Sequence, residues 1–169
     1  QDRARPCTRN NCLRVKVNEQ GADKIYKIVK SVSPRGGTDA SIWARMASQY
    51  YSFGSDGNHS PILSQTGKAS DCQKSYIIVI GDGAMTNVTR AKNIVKTLNG
   101  KSGNKRVKTF TIAYGGGIGP SGISKFREIS KAGGTEDVII ADTAASLTSQ
   151  LKALISSINA PNLSFTAPA

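Results

Sequence analysis

Two loops carry the oxygen side chains best suited to binding chemistry. Ser33-Pro34-Arg35-Gly36-Gly37-Thr38-Asp39 joins two helix-patterned stretches, and Ile80-Gly81-Asp82-Gly83 leaves an apolar run. In each, glycines let the backbone turn tightly and set an oxygen side chain at the mouth. The Thr38 hydroxyl and the Asp82 carboxylate, with Asp39 as a further donor, form a hard-oxygen set suited to Mg²⁺, Ca²⁺ or Mn²⁺. The plainer reading of the same residues is that Thr38 caps one helix and Asp82 the next.

Cysteine chemistry is the second candidate. Cys7 and Cys12 enclose four polar residues, a loop that can close as a disulfide, and Cys72 is left over. The spacing does not match a zinc ribbon, and the one histidine, His59, sits in a polar loop as a solvated residue. An odd cysteine fits an oxidising, exported setting in which Cys72 pairs outside this chain. Lys plus Arg number 23 against 11 acids, a net charge of +12. Such an excess invites anionic partners: nucleic acid, lipid head groups or polysaccharide. The lysines are spread along predicted helices, which reads first as a basic solvated surface. The densest run, Arg3, Arg5, Arg9, Arg14 and Lys16, holds no aromatic residue to stack on a base.

The elements that must position these residues follow from periodicity. Residues 12–17 alternate apolar and basic, the pattern of an edge strand. Ala22 to Val32 is an amphipathic helix with Ala22, Ile25, Ile28, Val29 and Val32 inward. A helix capped by Thr38 or Asp39 runs to about Tyr51, with Ile42, Trp43, Met46, Ala47 and Tyr50 inward. Gly54 to Lys74 is a long polar surface loop of the kind that often carries function. Tyr76–Ile80 reads as a strand buried on both faces. A helix over Asn87–Leu98, a strand over Val107–Tyr114 and a helix over Ile123–Lys131 come next. A third buried strand covers Val138–Ala141, and a last helix covers Thr143–Ile158. The longest apolar run is about five residues, against roughly 20 for a membrane helix. The chain opens Gln-Asp-Arg with no apolar stretch behind it, which reads as a processed product or a piece of something longer.

Strands alternating with helices run parallel, so the expected fold is a doubly wound, Rossmann-like α/β sheet. Its binding site belongs at the carboxyl ends of the strands, where Gly81-Asp82-Gly83, Gly115-Gly116-Gly117 and Asp142 fall. Residues 1–11 form a basic, cysteine-containing lead-in, 12–158 the domain, and 159–169 a linker to a further domain.

In this order the motifs resemble the von Willebrand factor A (vWA) domain. Arg35-Gly36-Gly37-Thr38-Asp39 looks like its Gly-Gly-Thr loop, and Ile80-Gly81-Asp82-Gly83 like its Asp-Gly turn. The resemblance implies a metal-ion-dependent adhesion site for Mg²⁺ or Ca²⁺. Thr38 would bind by its hydroxyl, Asp82 directly or through water, and a partner carboxylate would take the open position. Gly36, Gly37, Gly81 and Gly83 would shape the partner-binding loops. Ser60-Pro61-Ile62-Leu63, then Cys72, then Gln73 to Gly83, with the tail Ser164 to Ala169, is similar to the PilY/PilC-type type IV pilus tip proteins. That implies a non-enzymatic, extracellular adhesion or assembly module with pilus subunits among its partners.

The family's Asp-x-Ser-x-Ser motif has no counterpart here; Asp39-Ala40-Ser41 comes nearest and starts a helix. The expected sheet therefore lacks its first two strands, one of which belongs beside Tyr76–Ile80. The remaining segment, or another chain of the same protein, must supply them. Two alternatives stay open: an intracellular vWA-like assembly module and a nucleotide-binding α/β enzyme. Gly117-Ile118-Gly119-Pro120-Ser121-Gly122 fits a dinucleotide fingerprint formally, with Asp137 downstream. Against it, Pro120 removes a backbone donor and Asp137 precedes its strand.

Overall fold

The structure, a computed structural model, describes residues 14–15, 21–31, 38–53 and 74–159. Helix α1 (Gly21–Val29) comes first, followed by the two-residue strand β1 (Thr38–Asp39) and helix α2 (Ala40–Phe53). Then follow β2 (Ser75–Gly81), β3 (Met85–Thr86), α3 (Val88–Asn99) and a 3₁₀ turn over Gly103–Lys105. The described chain closes with β4 (Val107–Tyr114), α4 (Pro120–Ala132), β5 (Ile139–Ala141) and α5 (Ala144–Asn159). The fold is α/β.

Strands β2, β4 and β5 form a parallel sheet in that order. Ser75 to Gly81 pair with Val107 to Ala113 without a break, and Ile112 to Tyr114 pair with Ile139 to Ala141. Helical crossovers impose this: a strand whose successor follows a whole helix returns in the same direction. The odd-numbered residues of β4 point at α3 and α4. Val107, Thr109, Thr111 and Ala113 are all buried there, with Ala91, Val95 and Leu98 of α3 and Phe126 and Ile129 of α4. A buried hydroxyl relay locks α4 onto β4. The Thr111 N–H donates to Ser130 Oγ (3.2 Å), the Thr111 and Ser130 hydroxyls meet at 2.7 Å, and Thr111 Oγ1 donates to the Phe126 carbonyl (3.0 Å). The relay satisfies two hydroxyls that would otherwise be costly to bury.

Three expectations are corrected. Tyr76–Ile80 is not buried on both faces: Ile78 is 37% and Ile80 47% exposed. The cause is position, because β2 ends the described sheet and α3 and α4 cover only one side. The expected third buried strand, β5, ends the sheet opposite, and Ile140, on the same face as its buried partner Ala113, is left exposed at that edge. In α1, Ile25 and Val29 are exposed although their spacing reads as an inner face. Periodicity says which side of a helix would be covered, not that a covering element is present.

Helix boundaries shift for identifiable reasons. α4 starts at Pro120 rather than Ile123, since proline at the first helical position loses no intrahelical bond. α5 is capped by Thr143, whose Oγ1 accepts the Ser146 N–H (3.1 Å), and of its residues only Leu154 is buried. In α2 the buried positions are Ala40, Ser41 and Ala44, with Trp43 packed at the edge of the core. Small residues there let α2 lie close against α3. The predicted strand at 12–17, apart from Arg14 and Val15, lies outside the described residues. So do nearly all of the 54–74 loop and the tail from residue 160.

Candidate functional site

The short strands β1 and β3 pair in parallel, Thr38 with Met85 and Asp39 with Thr86. This joins the loop ahead of α2 to the turn after β2, though the two are 48 residues apart in sequence. Thr86 Oγ1 adds a bond to the Thr38 carbonyl (3.3 Å). Thr38 is exposed on this rim, and its backbone partner Met85 lies three residues past the exposed Asp82.

Asp39 is the most engaged residue of the rim. Its Oδ1 accepts the Ser41 backbone N–H (2.9 Å) and the Ser41 hydroxyl (2.8 Å), which caps α2. Its Oδ2 accepts Asn87 Nδ2 (2.8 Å). These bonds, Ser41 first and Asn87 next, hold the Asp39 carboxyl below its ordinary 3.8. Asp39 rather than Thr38 therefore caps α2. Asp82 caps nothing, because α3 begins only at Val88. Gly81 is half-buried with an added Cβ only 2.8 Å from the buried Phe126 ring, so close packing needs a glycine there. Around Gly83 the space is open. Gly36, Gly37, Cys7, Cys12, Cys72 and His59 lie outside the described residues.

Sequence reasoning missed Asn87, Ser41 and Lys125. Asn87 adopts the left-handed conformation (φ 54°) just before α3, which aims its amide at Asp39. An asparagine ahead of a helix was the available signal, because this residue tolerates that conformation. Lys125 reaches from α4 and donates to the Met85 carbonyl (3.0 Å), tying the rim to the core helices. An open hollow of about 510 Å³ lies beside β3, lined by Thr86, Asn87, Arg90, Asn93 and Lys125 among others. Two cations and no acid line it, so it suits an anionic group.

For a divalent cation the rim offers a partial set. Thr38 and Asp82 are exposed oxygen donors, and Asp39 has spent most of its lone pairs on Ser41 and Asn87. Among the described residues no three His, Cys, Asp or Glu side chains converge, whereas Ca²⁺ takes about six to eight oxygens. Two exposed oxygen groups and one engaged acid do not make a closed site for such an ion. Asp137, the acid of the dinucleotide alternative, is bound to Arg127 Nε (2.6 Å) and to the Val138 N–H, away from Gly117–Gly122. No known protein family matches the chain, and no curated protein sequence does.

Proposed function

We propose that the chain is the major part of a vWA-like domain, working as a non-enzymatic adhesion or protein-interaction module of an exported, type IV pilus-associated or cell-surface protein. Its binding surface is the rim carrying Thr38, Asp39 and Asp82. The observation that carries this reading is the parallel pairing of Thr38–Asp39 with Met85–Thr86, which draws the threonine loop and the aspartate turn to one end of the sheet. The position of β2 at the edge of the described sheet supports the companion proposal that further strands complete the sheet along this strand. They come from another part of the same protein or from another chain.

On this reading Thr38 and Asp82 supply two ligands of a shared Mg²⁺ or Ca²⁺. A partner carboxylate approaches the rim, favoured by Arg90 and Lys125 in the adjoining hollow. The metal would supply a bridging charge between the rim and that carboxylate. Titration calorimetry with Mg²⁺ and Ca²⁺ tests the proposal on wild type and Asp82→Ala. The expected result is weak divalent binding that the substitution abolishes. Binding of ATP or NAD with indifference to divalent ions would overturn it in favour of the enzyme alternative. Mass spectrometry of the non-reduced protein tests export: a disulfide at Cys7, Cys12 or Cys72 is expected, and three free thiols would argue for the intracellular module.

A further inference from the structure

From Gly83 to Arg127 the sequence has nine cations and no acid. The fold gathers part of this stretch at the end of the sheet opposite the rim. α3 ends there, and its last turn carries Lys96. The return to β4 carries Lys101, Lys105 and Arg106, with Lys105 closing the 3₁₀ turn. Lys74 joins them from a distant part of the chain. It precedes Ser75, Arg106 precedes Val107, and Ser75 and Val107 are register partners on adjacent parallel strands. Adjacent strands lie about 4.8 Å apart, so Lys74 and Arg106 are neighbours. Lysines that look dispersed in sequence therefore converge in space.

Among the described residues these groups form no ion pair. Lys74, Lys96, Lys105 and Arg106 are exposed and Lys101 half-exposed. Neither ion pair found among the described residues, Lys92–Glu128 or Arg127–Asp137, uses any of them. Arg106 Nε donates to a neutral amide oxygen, Asn99 Oδ1 (2.9 Å). That bond fixes the guanidinium without neutralising it.

We infer that this amino-end patch binds the phosphate backbone of duplex nucleic acid without reading sequence. Between Lys96 and Arg106 the uncharged positions are Thr97, Leu98, Asn99, Gly100, Ser102, Gly103 and Asn104. Leu98 is buried, so no apolar side chain of this segment is free to enter a bilayer. None is aromatic, so the segment lacks the stacking platform of a single-strand binder. Clustered cations among small hydrogen-bonding residues are the make-up of a backbone-positioning surface. The patch is at the other end of the sheet from Thr38 and Asp82, and the inference stands independently of the proposed rim function.

Fluorescence anisotropy with a labelled duplex of about two helical turns tests it, between about 50 and 200 mM salt. The expected dissociation constant is on the order of 10⁻⁵ M, and log K should fall with log salt at a slope of roughly −4 for four to five neutralised phosphates. Lys101→Glu with Lys105→Glu should weaken binding at least tenfold and flatten the slope by about 2. Lys152→Glu, an exposed change on α5, should leave binding within about twofold. Circular dichroism confirms that each variant is folded. The inference is overturned by absence of duplex binding, or by an equal loss from Lys152→Glu. It is equally overturned if vesicles containing phosphatidylglycerol, or a sulfated polysaccharide, bind more tightly than the duplex through the same lysines.

Discussion

Two single side chains can be tested through pH: Asp39 on the rim and Tyr51 near the amino end of β2. Asp39 is held below its ordinary value by Ser41 and Asn87. A depressed carboxylate contributes stability above its unfolded pKa, and the contribution is lost as pH falls through the lower folded value. Asp39→Asn should therefore lower the melting temperature at neutral pH, and the gap from wild type should close well below pH 4. A gap independent of pH would mean that the charge of Asp39 does nothing. Tyr51 gives the opposite sign. Burial, with the neighbouring Tyr50, pushes its hydroxyl up to about 12 while the group donates to the Tyr76 carbonyl (2.7 Å). Its contribution is complete below pH 10 and fades as pH rises through about 12. Tyr51→Phe should remove a phenolic step at about 12 from an ultraviolet titration and cost about 1 kcal/mol. The capping place of Asp39 was readable, since an acid after a glycine loop and ahead of an amphipathic run suits a helix start. The work done by Ser41 and Asn87 was not, because a hydrogen bond across 48 residues has no local signature.

Among the elements, the strongest contrast lies within one register pair. Ile80 is 47% exposed and its partner Ile112 fully buried. Ile112→Ala should cost about 2–5 kcal/mol in urea denaturation, and Ile80→Ala well under half of that. Equal losses would mean that the open face of β2 is covered in solution. Gly81→Ala should also destabilise, by about 1–3 kcal/mol, because the new methyl meets the Phe126 ring. The long strands and the helices were legible from their periods, to within a few residues. β1 and β3 were not, since two residues carry no period. The exposure of Ile25, Ile78 and Ile80 was equally hidden, because a pattern defines faces but not neighbours.

At the scale of the whole molecule, a net charge of +12 sets the behaviour. Like charges repel more in the folded state than in the expanded one, and salt shortens that repulsion from about 30 Å at 0.01 M to about 8 Å at 0.15 M. The melting temperature should rise over that range, and a fall would point to favourable ion pairs outweighing repulsion. The central claim is that residues from two distant loops make one binding rim at the carboxyl end of the sheet. Titrating Mn²⁺ into the ¹⁵N-labelled protein and following amide line broadening tests this most directly, since a paramagnetic ion marks its neighbours even when it binds weakly. The account predicts broadening centred on Thr38–Ser41 and Asp82–Asn87, and its disappearance in Asp82→Ala. Broadening centred on Glu136 and Asp137 or on Asp142, or spread evenly over all acids, would contradict it.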